Sequence, residues 1–155
     1  MRGKQAPHRS VAADAKFASP VVAKFINYVM KDGKKSTAQR VVYNAFAIME
    51  EKLKKPALET FTTAINNVSP LLEVKSKRVG GANYQIPMQV RAERRQQLAF
   101  RWILVAARAK KGKPMAEKLS TELLAAAENT GDAVKKKQDV QRMAEANRAF
   151  AHFAR

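Results

Sequence analysis

Hydrophobic residues recur every three or four positions along most of the chain, a spacing that predicts amphipathic helices. A first helix is predicted after Ser19, a good N-cap residue, with Pro20 at the first helical position. Val22, Phe25, Ile26 and Val29 share its inner face, Asp32-Gly33 ends it, and Lys34 and Lys35 occupy the loop beyond. A second helix is expected to open at Ser36, with Gln39 at capping-box spacing and Val41, Val42, Ala45, Ile48, Met49 and Leu53 inward. A third starts at Pro56, presents Leu58, Phe61, Ala64, Ile65 and Val68, and closes at Asn66-Asn67 and Ser69-Pro70. Tyr43, Phe46 and Phe61 read as core residues rather than base-stacking groups.

The period then changes. Over 74–91 two extended arms flank Gly80-Gly81-Ala82-Asn83, and in the second arm Tyr84, Ile86, Met88 and Val90 alternate with Gln85, Pro87, Gln89 and Arg91. A period of two predicts a strand with one buried side. Paired glycines tolerate positive φ, so the chain reverses there. Pro87 donates nothing to a ladder and confines its strand to an edge, which a two-stranded ribbon satisfies. The stretch from Val74 to Arg95 carries Lys75, Lys77, Arg78, Arg91, Arg94 and Arg95 against one acid, Glu93. Two readings stand side by side: a projecting basic ribbon whose tip orders fully only against a partner, or a solvated hairpin tucked onto the body.

A fourth helix is expected over 93–111. Its apolar residues, Leu98, Ala99, Phe100 and 102–107, run nearly all the way round, which predicts a buried helix. One polar stripe remains, made by Arg94, Gln97, Arg101 and Arg108. These arginines face either an external partner or the acids Glu117, Glu122 and Glu128. Lys110, Lys111 and Lys113 surround Gly112 in the next loop. Pro114 begins a fifth helix, with Met115, Leu119, Leu123, Ala126 and Ala127 inward, and Asn129-Thr130-Gly131 ends it. Asp132 is a candidate cap for a sixth, striped by Val140, Met143, Ala144, Phe150 and Ala151. Lys135, Lys136 and Lys137 are expected in its first turn, where they oppose the helix dipole unless an external anion binds. The fold class is therefore mainly α: a single domain of about six helices with one protruding two-stranded β-hairpin between helices three and four. Residues 1–16 read as a basic N-terminal arm carrying Arg2, Lys4 and Arg9, ahead of a helical domain over 17–155.

Charge sharpens the picture. Thirty Lys and Arg stand against thirteen acids, a formal net charge of +17. Such a set repels itself unless a polyanion neutralises it. It is also segregated: residues 74–114 hold eleven bases and one acid, whereas 115–134 hold one base and four acids. Basic blocks separated by neutral ones imply a charged face assembled from distant segments.

Catalytic chemistry has little to stand on. There is no cysteine, and His8 and His152 have no neighbours at metal-ligand spacing. No phosphate-binding or nucleophile-elbow motif occurs. No apolar run approaches the ~18 residues of a membrane span, and the first ten residues lack the apolar core of a signal peptide. No cofactor and no membrane partner are expected, and a cytoplasmic setting is the default.

The stretches EVKSKRVGGANYQIPMQVR, NYVMKDGKKSTAQ, FRWILVAAR and LLAAAENTGDAVKKKQDVQRMAEANRAFAH resemble, in order, those of the bacterial-type small-subunit ribosomal protein 7 family. The likeness runs from about Phe17 to His152. It implies a small helical protein with one protruding hairpin that binds the three-prime major domain of 16S ribosomal RNA, nucleates assembly of the subunit head and has no catalysis. It further implies a hairpin at the subunit interface near messenger RNA and exit-site transfer RNA, beside head and platform proteins such as ribosomal proteins 9 and 11. By position, Lys75, Lys77, Arg78 and the tip residues Gly80, Gly81, Asn83 and Tyr84 correspond to the family hairpin. Lys34 and Lys35 correspond to its first basic loop, Arg94, Arg95 and Arg101 to the hairpin root and following helix, and Lys135, Lys136 and Lys137 to a basic run before the last helix. Where the family carries Pro-Asp-Pro before helix one, this chain has Ala13-Asp14-Ala15. Tyr84 either stacks on a base or packs across the hairpin. The residues alone also admit a basic architectural DNA-binding protein, an RNA-modifying enzyme or a membrane-surface protein. The missing recognition helix, the missing catalytic motifs and the placement of charge on loops and a ribbon disfavour each in turn.

Overall fold

A computed structural model of the chain describes Gly3, Ala6 and residues 11–154. The elements run α1 (Pro20–Val29), α2 (Lys35–Leu53), α3 (Ala57–Val68), β1 (Leu72–Val79), β2 (Ala82–Gln89), α4 (Ala92–Ala109), α5 (Met115–Ala127) and α6 (Gly131–Ala146), followed by a 3-10 helix, Arg148–Ala154. The predicted class holds: a helical domain with one two-stranded antiparallel hairpin between α3 and α4.

Four phenylalanines, one from each of α1 to α4, form the centre. Phe25 packs on Phe61 and Phe100, and Phe46 on Phe61, with each pair of ring centroids 5.1 Å apart. Leu119 and Leu123 of α5 are buried against this group. Burying each such side chain is worth about 1.5–3 kcal/mol. The predicted inward faces of the first three helices and of α5 supply most of this core, and Tyr43, Phe46 and Phe61 all pack internally. The first helix is capped as expected: Ser19 Oγ accepts from Val22 N at 3.5 Å with Pro20 beside it. Packing begins before α1. Asp14 is buried, and its carboxylate accepts from Tyr43 Oη at 2.8 Å and from the amides of Lys16 and Phe17. Phe17 in turn packs on Tyr43 and Phe46.

Several local expectations are corrected. The second helix has no capping box. It starts at Lys35, Lys34 holds the N-cap position without a side-chain bond, and Ser36 and Gln39 lie inside the helix. The preceding turn, with Asp32 at φ 53° and Gly33 at φ 72°, closes early enough for Lys34 O to accept from Ala38 N. The ribbon begins at Leu72 rather than Val74, because pairing of Leu72 with Gln89 extends a strand that shows no alternation of its own. Its turn is only Gly80-Gly81, at φ 59° and 91°, and Ala82 and Asn83 already pair with Val79 and Arg78.

The fourth helix is not buried all round. It packs against α1, α3, α5 and α6, yet Arg101, Val105 and Arg108 are exposed, Val105 to 67%. Val105 falls on the arginine stripe, four residues after Arg101, and so faces solvent despite its apolar side chain. The sixth helix starts at Gly131, and Asp132 lies in its first turn instead of capping it. Thr130, at the N-cap position, turns its hydroxyl to Ala125 O of α5. Lys135, Lys136 and Lys137 therefore fall in the second turn, past the reach of the N-terminal dipole. Met143 is exposed, α6 ends at Ala146, and Phe150 belongs to the 3-10 helix.

Candidate nucleic-acid interface

The hairpin packs on α6 and on the 3-10 helix, and side chains pin its root. Glu73, mostly buried, pairs with Lys75 Nζ and with Arg94 Nε, each at 3.3 Å. Arg94 therefore answers to the hairpin, not to a glutamate of α5. Arg95 Nε donates to Val90 O at 2.9 Å, and Val90 N donates to Leu71 O at 3.1 Å. Ile86 and Val90 are the buried members of the alternating set, while Tyr84 and Met88 are half-buried.

One side of the ribbon is covered behind its exposed tip. The 3-10 helix lies along β2, and Tyr84 packs on Phe150 and Phe153, with centroids 5.1 and 5.6 Å apart. Lys77 Nζ donates to Phe153 O at 3.0 Å. Of the two readings for Tyr84, packing is the one seen in the free chain, although its partners come from the C-terminal segment. Lys75, Lys77, Arg78, Gly80, Gly81, Asn83 and Arg91 are exposed.

Other basic groups are joined to this root through the body. Lys137 of α6 donates to Asn67 O at 2.6 Å, placing a cation on the C-terminal carbonyls of α3. It also lines a small cavity with Leu71 and Leu72 at the hairpin root. Lys135 and Lys136, in the same turn, are exposed. The start of α6 is held by Glu122 of α5, which is 0% exposed: Oε1 accepts from Ala133 N at 2.9 Å. Lys110 Nζ lies 2.6 Å from Oε2; the approach departs from hydrogen-bond angles and acts as an ion pair. Lys111 and Lys113 of the same loop stay exposed, and Met115 just beyond it lines a cleft shared with Lys31 and Lys34. The loop after α1, the loop after α4, the start of α6 and the hairpin root thus form one connected series of basic segments.

Of the predicted site residues, Lys34, Lys35, Lys111, Lys113, Lys135, Lys136, Arg78, Arg91 and Arg101 present exposed side chains. Lys110, Lys137, Arg94 and Arg95 are engaged within the protein. Arg2, Lys4 and Arg9 lie outside the described residues. In the sequence Glu122 stands only as one of three acids for the α4 arginines to face. Its true role, one carboxylate joining a loop to a helix start, has no local sequence signal.

This arrangement offers cations and hydrogen-bond donors on a fixed scaffold and no catalytic constellation. Among the described residues no cluster of His, Asp or Glu is suited to a metal, and no helix is long and apolar enough to cross a membrane. Comparison with known proteins agrees in kind. The sequence profile of the family described as Ribosomal protein S7p/S5e matches residues 1–148. Small ribosomal subunit protein uS7 of Thermotoga neapolitana is 57% identical over 153 residues, covering 99% of each chain. The protein of the same name from Thermotoga maritima is 58% identical over the same share, and that of Roseiflexus castenholzii 57% over 142 residues, 92% of this chain and 90% of its own. On that match and those identities, the chain belongs to the Ribosomal protein S7p/S5e family, structural proteins of the ribosome rather than enzymes.

Proposed function

We propose that this chain binds the three-prime major domain of 16S ribosomal RNA as a structural protein of the small subunit, and that its binding nucleates the subunit head. The observation that carries the reading is the connected series of basic segments, with exposed Lys34, Lys111, Lys113, Lys135 and Lys136 mounted on a rigid helical body. Lysines and arginines neutralise phosphates and release counterions, while the scaffold sets their spacing to a folded RNA. Side chains do not read the deep major groove of A-form RNA, so selectivity comes from shape and unpaired nucleotides. In this reading the hairpin, with Arg78, Gly80, Gly81 and Asn83 at its tip, extends toward messenger RNA and exit-site transfer RNA. Neighbouring head and platform proteins, ribosomal proteins 9 and 11 among them, flank it.

The test is binding to a transcript of that RNA domain, titrated with salt beside a scrambled RNA of equal length. Six to ten phosphate contacts predict a loss of roughly 10³–10⁵ in affinity between 50 and 200 mM salt. A preference of about a hundredfold for the native transcript at the higher salt is the expected result. Equal binding to both RNAs, fading together, would leave only a nonspecific polyanion surface and sink the proposal.

A further inference from the structure

A cleft of about 530 Å³ opens at the hairpin root, between the end of α3 and the start of α4. That volume lies within the range of about 300–1,000 Å³ typical of small-ligand sites. Ile65, Leu71 and Ala92 supply its apolar lining, Asn66, Glu93, Arg95 and Gln96 its polar groups, and the hydroxyl of Ser69, also in the lining, is turned to Ile65 O.

Leu71 is 66% exposed, although its carbonyl is tied to Val90 N. The backbone thus holds an apolar side chain out of the core on a rigid mount. Arg95 is fixed in the same way through Nε, and its terminal nitrogens have no further partner among the described residues. The amides of Asn66 and Gln96 make no hydrogen bond among the described residues, so each offers both a donor and an acceptor. Glu93, exposed at the lip, adds an acceptor only.

The carboxylate of Glu93 weighs against a plain phosphate site, because it repels an anion. The mixture suits a flat group with an apolar face and an edge of alternating donors and acceptors. We infer that the cleft takes one unpaired RNA nucleobase, its face against Leu71 and Ile65 and its edge read by Asn66, Gln96 and Glu93. Arg95, pinned at Val90, supplies the remaining donors. Glu93 accepts from an exocyclic amino group, which adenine, cytosine and guanine carry and uracil lacks. The inference rests on the RNA-binding reading above and adds to it a site that reads a base.

The test uses the full chain and the native and scrambled transcripts already described. An Asn66→Ala, Gln96→Ala double variant and a separate Leu71→Ser variant alter exposed or half-exposed side chains, and thermal unfolding checks the fold of each. Loss of base contacts predicts about tenfold or greater weakening on the native transcript, with the salt slope and the affinity for scrambled RNA unchanged. If the unaltered chain shows no preference for the native transcript, the RNA-binding reading falls, and the base site with it. If that preference is present but both variants keep it within about twofold, only the base site is overturned. A flattened salt slope in the variants would mean that the cleft holds phosphate, which also overturns it. As an independent readout, a photoreactive leucine in place of Leu71 should crosslink to a single unpaired nucleotide, and crosslinks confined to paired nucleotides would count against the site.

Discussion

Glu122 has no solvent exposure, yet its two oxygens meet a backbone amide of α6 and the ammonium of Lys110. Glu122 is fully buried while the Lys110 side chain is 30% exposed, so removing the cation is the costly change: Lys110→Met leaves the carboxylate buried without a counter-charge and should lose about 3–5 kcal/mol of stability in urea unfolding. Glu122→Gln keeps an acceptor for Ala133 and should lose less. Gly131 is bound to the same residue by space. At φ +89° an added Cβ would meet Ala125 Cβ at 3.0 Å and Glu122 Oε1 at 3.1 Å, so Gly131→Ala should cost about 1–3 kcal/mol in the same assay. Tyr43 makes a different residue-scale prediction. Burial, with the hydrogen bond from its hydroxyl to Asp14 and the charge of Asp14, holds that hydroxyl above the ordinary phenol pKa. The folded chain therefore keeps this proton more tightly than the unfolded chain. The resulting stability is complete below about pH 10 and is lost as pH climbs through the raised value. The stability gap between the natural chain and Tyr43→Phe, about 1 kcal/mol near neutral pH, should narrow in alkali. A constant gap would show that the phenol proton is not coupled to folding.

At the scale of elements, the hairpin and the 3-10 helix belong together. Two strands with both edges open are marginal in water, and the C-terminal segment supplies the missing layer through Phe150 and Phe153 against Tyr84. A Phe150→Ala, Phe153→Ala double variant should speed amide exchange in β2 by about tenfold or more and leave the interior of α3 unchanged. Unchanged exchange in β2 would mean that the ladder stands on its own. The expectation that the tip orders only against an external partner has to take account of this cover, whose aromatic residues look like the tail of a helical stripe in the sequence. The start of α6 has the same character: its amide finds an acceptor on α5, which no capping rule within six residues could supply.

For the molecule as a whole, the basic segments are brought into series by contacts that themselves use cations. Lys110 and Lys137 hold the frame, and Lys111, Lys113, Lys135 and Lys136 remain exposed beside them. Changing those four to glutamine should lower the salt slope of RNA binding by roughly three units if all of them neutralise phosphate, with little effect on stability. Changing Lys110 or Lys137 should chiefly lower stability. The opposite pattern would place the RNA on the framework lysines.

The sequence by itself determined the elements. The inward faces of Val22, Phe25 and Val29, the Ser19-Pro20 start, the Gly80-Gly81 reversal and the alternation through Ile86 and Val90 depend on neighbours within a few residues, and each was legible for that reason. So was the excess of positive charge, which is a sum over residues and needs no geometry. The collinear motifs carried the family as well. Tertiary structure decided which charges are available. Arg94 and Lys110 look like their exposed neighbours in sequence, and only the approach of Glu73 and Glu122 across the fold separates them. Val105 reads as core by type and is exposed by position, because the packing of α4 on its neighbours ends at the arginine stripe. The cleft at the hairpin root has the same origin: Asn66, Leu71 and Gln96 lie on three different segments, and a cavity exists only once those segments meet.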